Sequence, residues 1–225
     1  MEISDNNPNS IDSDEATTRG KILEAACLEF IERGYDGARV QHIAELSGAN
    51  KAMIYYYFGS KRRLYRLVFK KMVLKNLKKI KEITYRDEPL EDKIRSLISF
   101  YLELFGSDPG FLRLVMRELA GDSAILTEVF GEVRKEAEGI DFPGAIFEKI
   151  FRKGVETSEL RRMDQRHTMA SLVGMSAGYF ILRPVADTIL GLSEKESEEF
   201  AASRVGHVID LLFHGILERK KEEKN

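Results

Sequence analysis

The chain has 225 residues, 43% of them hydrophobic and 32% charged, with a formal net charge of −2. That is enough apolar material for a sizeable core, which excludes global disorder, and enough length for one large or two small domains. The near-neutral total argues against a nucleic-acid partner only until it is resolved along the chain: residues 1–15 carry −5, residues 16–85 carry +9 and residues 86–225 carry −6. A basic block of this kind is the usual footprint of a surface that meets phosphate.

Residues 1–15 are acidic and rich in Asn, Asp and Ser. They have neither the basic nor the apolar region of a signal peptide and are predicted to be a disordered tail. Thr17 and Thr18 offer an N-cap to a first helix whose stripe, Ile22, Leu23, Ala26, Cys27, Phe30 and Ile31, ends at Gly34. Cys27 falls on this stripe with no histidine before it in the chain, so its expected role is packing. Short helices are predicted at 40–47 and 50–58. Ser60 can cap a long connecting helix to about residue 84, and Asp87-Glu88-Pro89 opens another that stops near Gly106. Further helices are predicted at 109–120, 124–138, 143–154, 168–190 and 193–220, with a frayed tail beyond. The longest uncharged stretch, His167 to Leu182, is shorter than the about 20 residues a bilayer span needs. The fold class is therefore all-α, with no membrane partner and a cytoplasmic location expected.

The segment from Val40 to Phe58 carries the functional signal. Ala44 is small where two short helices must cross, and Gly48, four residues on, falls where a turn needs positive φ. Ile54, six further on, lands on the inner face of the second helix. This is helix-turn-helix spacing. Tyr55, Tyr56, Tyr57 and Phe58 then cover most of the circumference of that second helix, so they cannot all face a core. Phe58 is the natural inner residue, one turn after Ile54. Exposed tyrosines beside Lys51 and Lys61 suit contact with phosphates and base edges, while Tyr57 suits either contact or packing against the next helix.

Gly34-Tyr35-Asp36-Gly37, Ile43-Ala44, Ser47-Gly48, Ile54-Tyr55-Tyr56 and Phe58-Gly59-Ser60-Lys61, preceded by Ala25-Ala26 and Phe30, resemble the DNA-binding domain of TetR-family transcriptional regulators. The resemblance covers residues 18–68. It implies an N-terminal three-helix helix-turn-helix domain over residues 16–63, and a larger C-terminal helical domain for ligand binding and dimerisation over residues 64–225. It also implies a recognition helix in the major groove of a palindromic operator, with Asn50, Lys51, Ala52, Tyr55 and Tyr56 at base- or phosphate-contacting positions. Lys61 matches a phosphate-holding lysine, and Val40 and Gln41 match the start of the second helix, near the backbone. Where the family often has Thr or Ser before that helix, this chain has Ala38-Arg39, and Arg39 can replace the missing hydroxyl electrostatically. The lysines beyond Lys71 read as a solvated face.

Two short recognition helices one turn of DNA apart require a homodimer. The expected interface is the stripe Val205, Val208, Ile209, Leu212, Phe213 and Ile216 on the last helix, with Gly174 and Gly178 allowing close approach on the one before. The family resemblance further implies a pocket for a small, largely apolar effector. Candidate lining residues are Tyr101, Phe105, Phe111, Met116 and Phe130, followed by Phe147, Met169, Met175 and Tyr179, each equally at home in a plain core. The break at Gly139–Gly144 reads as a portal. Arg113, Arg117 and Glu118 either hold a polar ligand end or pair with one another at the surface. His207, Asp210 and His214 share a helix face but lack a fourth group, so no metal is expected. No cofactor is expected. No paired carboxylates or activated nucleophile stand out, so an enzyme is not expected.

Overall fold

A computed structural model describes residues 8–106, 109–136 and 143–216, and among these residues the chain is helical with no β-strand. The helices are α1 (Pro8–Gly37), α2 (Val40–Ser47), α3 (Lys51–Phe58), α4 (Lys61–Thr84) and α5 (Leu90–Gly106). After them come α6 (Pro109–Ala120), α7 (Ala124–Glu136), α8 (Pro143–Glu156), α9 (Gln165–Leu190) and α10 (Glu194–Ile216).

Most boundaries fall where periodicity and capping residues put them, but α1 does not. It begins at Pro8, inside the segment expected to be a disordered tail. Proline is tolerated in a first helical turn, where its missing N–H has no intrahelical partner to lose. Residues 1–7 lie outside the described residues, as do 137–142, which include most of the expected portal, and the tail after 216.

The chain forms two compact units, one made of Met1–Leu74 with Arg113–Val133 and the other of Lys75–Leu112 with Arg134–Asn225. The boundary expected after residue 63 falls inside the first of these units. The first unit keeps the opening turns of α4 and takes in most of α6 and α7, because these helices carry the partners of its charged residues. Glu128 pairs with Arg62 at 2.7 Å and with Arg66 at 3.4 Å, and Glu132 pairs with Arg66 and, at 3.7 Å, with Lys70.

The core of the first unit is Ile22, Ala26 and Phe30 from α1, Ile43 and Ala44 from α2, Ile54 and Phe58 from α3, and Leu64, Tyr65 and Phe69 from α4. Phe30 meets Tyr65 edge to face with centroids 4.8 Å apart. Each fully buried aromatic or branched side chain contributes about 2 kcal/mol of apolar transfer, so this cluster holds the two short helices α2 and α3, which would not be stable alone. In the second unit α5 packs on α9 and α10, and α8 packs on α9, around Leu97, Ile98, Leu102, Phe147, Leu172 and Val208. Gly106 lies directly under the Phe180 ring, where a Cβ would come within 2.8 Å of two ring carbons.

Candidate nucleic-acid interface

The helix-turn-helix is closed by its glycine. Gly48 takes φ 69°, ψ 10° at the end of α2, the left-handed conformation in which a Cβ is unfavourable. Ser47 Oγ donates to the Ile43 carbonyl at 2.7 Å, which tightens the same turn. Asn50 then caps α3, its side-chain oxygen accepting the Met53 N–H at 2.9 Å. The residue expected to touch DNA thus also starts the recognition helix, and only its amide NH2 remains to donate outward.

Ile54 and Phe58, 2% and 0% exposed, hold the inner face of α3. The opposite face presents Lys51 and Ala52, both exposed, with Tyr55 at 42% and Tyr56 at 78% exposure. Tyr57 is half-buried and its ring lies between those of Tyr56 and Phe58, at 5.3 and 6.3 Å. An eight-residue helix that leaves two phenols and an ammonium in solvent has hydrogen-bond donors of both neutral and charged kinds on one face.

Around this face, Arg39 and Gln41 are exposed at the start of α2, whereas the Val40 side chain is buried, so only its backbone can meet a phosphate there. Lys61 is half-buried. Its Nζ donates to the Asp36 carbonyl at 3.3 Å and sits 4.8 Å from the centre of the Tyr35 ring. It must leave these partners to reach a phosphate.

Two groups support this interface that the sequence does not assign to it. The first is Glu29, whose carboxylate is fully buried. Its Oε1 accepts the Arg39 backbone N–H at 2.9 Å and its Oε2 accepts from His42 Nδ1 at 2.6 Å, with Arg33 at 3.4 Å. Arg39, the N-cap of α2, makes no side-chain cap of its own, so a carboxylate from α1 caps α2 instead. Burial alone would push the Glu29 carboxyl up, but the Arg39 N–H, His42 and Arg33 together hold it below its ordinary value. The visible signal was a charge at the i, i+3 and i+4 spacing of an otherwise apolar stripe.

The second is Arg117 on α6. Its Nη1 donates to the Phe30 and Ile31 carbonyls at 3.3 and 2.9 Å, and its Nη2 to the Glu32 carbonyl at 2.8 Å. These are carbonyls of the last regular turn of α1, which ends at Gly34 with φ 70°. Next to it, Glu118 accepts the Tyr65 hydroxyl at 2.8 Å, and burial followed by that carboxylate pushes the Tyr65 phenol well above its ordinary value. Arg117 and Glu118 therefore bind α1 and α4 rather than each other.

The other expected sites fare unevenly. Val208, Ile209, Leu212 and Phe213, expected at a dimer interface, are buried within their own unit, at most 9% exposed, because this stripe faces α5 and α9. Val205 is half-buried, and the Ile216 side chain lies outside the described residues. Nothing stands within 4 Å of where a Cβ would lie at Gly174 or Gly178. Of the aromatic and methionine cluster, Met116 and Phe130 belong to the first unit and the others to the second. Tyr101, Phe105, Phe111, Phe147 and Tyr179 are buried, and burial pushes the Tyr101 phenol up to about 12. Met169 and Met175 are half-buried. His214 Nδ1 donates to the Asp210 carbonyl at 2.8 Å, and among the described residues no three His, Cys, Asp or Glu side chains gather to hold a metal. Among the described residues no helix is long and apolar enough to cross a membrane.

Comparison with known proteins agrees with this geometry. The profile of bacterial regulatory proteins, tetR family, matches residues 22–68. The transcriptional regulator RutR of Escherichia coli K12 is 28% identical over 199 residues, covering 88% of this chain and 90% of its own. The transcriptional repressor SCO4008 of Streptomyces coelicolor is 35% identical over 105 residues, 47% of this chain and 51% of its own. Among solved structures, the regulator FadR of Bacillus subtilis in complex with stearoyl-CoA superposes with a TM-score of 0.63 at 18% identity, covering 85% of this chain and 97% of its own.

Proposed function

Because this chain is a transcriptional regulator of the TetR family, we propose that it is a ligand-responsive repressor that binds a palindromic operator as a homodimer and leaves it when a small, largely apolar effector binds. The observation that carries the DNA half of this proposal is the outer face of α3, where Lys51, Tyr55 and Tyr56 stand in solvent on a helix anchored from behind by Ile54 and Phe58. With Arg39 and Gln41 beside it, this face lays charged and neutral donors against a major groove.

Dimerisation is supported by a different surface from the buried α10 stripe. On α9 the open positions Gly174 and Gly178 continue into Leu182, Val185 and Ile189, which are 58%, 56% and 78% exposed. Three large apolar side chains in solvent along one helix face are unfavourable unless another surface covers them, and a second copy of α9 is self-complementary. For the effector, the supporting feature is a pair of buried hydroxyls on α9, Ser176 Oγ and Tyr179 Oη, that find no hydrogen-bond partner among the described residues. A buried unsatisfied donor costs about 1–3 kcal/mol, which a polar atom of a bound molecule relieves. The effector then acts by binding one spacing of the two recognition helices better than the other.

A salt titration of DNA binding tests the DNA half. Log affinity is expected to fall linearly with log salt concentration, and Lys51→Ala is expected to make the slope shallower by about 1, the share of one phosphate contact. Binding that is insensitive to salt, or a slope unchanged by Lys51→Ala, contradicts it.

A further inference from the structure

Where α9 packs on α10 in the second unit, polar side chains at one end of the seam satisfy one another. Arg183 Nε donates to Ser197 Oγ at 3.1 Å, Ser197 Oγ donates to Asp187 Oδ2 at 2.6 Å, and Arg183 stands 3.6 Å from that carboxylate. Toward the other end three donors have no acceptor. Ser176 Oγ and Tyr179 Oη on α9 and Arg204 Nε on α10 are buried atoms without a hydrogen-bond partner among the described residues, and Arg204 forms no ion pair among them. Ser176 and Tyr179 are 0% and 9% exposed. Asp187 Oδ1 is also unpartnered, but it lies about two turns beyond Tyr179, on the carboxylate that Ser197 and Arg183 already hold.

The antiparallel register brings these three donors to one place. The Tyr179 and Phe200 rings have centroids 5.2 Å apart, and the Arg204 guanidinium, one turn after Phe200, lies 6.0 Å from the centre of the Tyr179 ring. With Arg183 meeting Ser197, each turn back along α9 is matched by one turn forward along α10, so Ser176 falls opposite Arg204. Residues at i and i+3 share a helix face, and a guanidinium has several N–H donors and no acceptor. A half-buried cation without a counter-ion is unfavourable, and a planar oxyanion is its natural complement. Such a group meets the guanidinium fork with two parallel bonds and accepts from the hydroxyls as well. One turn further, Leu172 on α9 and Val208 on α10 are both buried, so the body attached to the oxyanion meets hydrocarbon.

We propose that the effector is a monocarboxylate with an apolar body, its carboxylate bound by Arg204, Tyr179 and Ser176. A regulatory consequence of occupancy rests on the repressor reading above, whereas binding itself does not. The site also has a signature in the protein without ligand. Buried donors left unpaired oppose folding, so removing one of these hydroxyls without changing shape does not destabilise the chain.

Thermal unfolding of the full chain without DNA reads both. Tyr179→Phe keeps the ring against Phe180 and Phe200, and without ligand it is expected to melt at or above the wild-type midpoint. A lower midpoint means that the hydroxyl has a structural partner, and overturns the proposal. Acetate, hexanoate and decanoate are the probes, with hexanol and decanol as uncharged controls at equal ionic strength. At least one of hexanoate and decanoate is expected to raise the wild-type midpoint as its concentration rises, and the alcohols are not. Arg204→Gln is expected to weaken that carboxylate by about tenfold, and Tyr179→Phe by about fivefold. No rise with any carboxylate, an equal rise with the alcohols, or equal carboxylate binding by wild type and Arg204→Gln overturns the proposal. Carboxylate binding as expected with no effect on DNA affinity leaves the site standing and counts against its regulatory use.

Discussion

Glu29→Ala is expected to cost the full chain about 3 kcal/mol of stability, read as a lower midpoint in chemical denaturation, and to weaken DNA binding with it. The carboxylate has no exposed surface and serves two donors at once, the Arg39 N–H and His42 Nδ1. Removing it strands a backbone donor at the start of α2 and an imidazole N–H beside an apolar core. Glu29→Gln restores an acceptor for Arg39 and is expected to lose less. The two variants also separate charge from shape through pH. A carboxyl held below its ordinary value of 4.5 stabilises the fold fully above that value, and its contribution is lost as pH falls through the lower folded value. The stability gap between the wild type and Glu29→Gln is therefore expected to shrink as the solution is taken below pH 4.5. A gap that stays constant on acidification, or an unchanged midpoint for Glu29→Ala, contradicts the capping role.

Arg117→Ala is expected to lower stability by about 2 kcal/mol. The guanidinium joins three successive carbonyls at the end of α1, and its stem packs where Gly34 has no side chain, 3.2 Å from the position of a Cβ. Lysine has no planar fork with which to bridge several carbonyls, so Arg117→Lys is expected to recover only a small part of the loss. Because α1 also carries Glu29, loosening its last turn disturbs the cap on α2, and the DNA affinity of Arg117→Ala is expected to fall even though the residue is on α6. A denaturation midpoint equal to that of the wild type is the result against it.

Gly48 is legible in the sequence and Glu29 is not. Gly48, Ala44, Ile54 and Phe58 announce themselves because backbone geometry and close crossing permit few residue types at each place, and all four occupy the predicted positions. The helix limits of α2 through α6 follow in the same way from caps and apolar spacing. Glu29 and Arg117 are polar residues whose partners lie 10 and 85 or more positions away, and no local pattern names a partner at that distance. The α10 stripe is ambiguous for a related reason. Periodicity shows that Val208, Ile209, Leu212 and Phe213 need a cover, but not whether that cover is α5 and α9 of the same chain or a second subunit. The exposed α9 face is not legible beyond Gly178, because Leu182, Val185 and Ile189 look like ordinary core in a segment poor in charge.

The proposed function stands on readout of duplex DNA by α3. Selection of bound sequences from a pool of random duplexes tests it directly, performed side by side with the wild type and with the double variant Lys51→Ala, Tyr56→Ala. Both residues stand in solvent on α3 and neither contributes to its core, so the variant is expected to fold. The wild type is expected to enrich a palindrome with half-sites about 10 base pairs apart, or a multiple of that spacing, and the variant is expected to enrich no sequence at all. The same palindrome recovered by both proteins contradicts readout by α3.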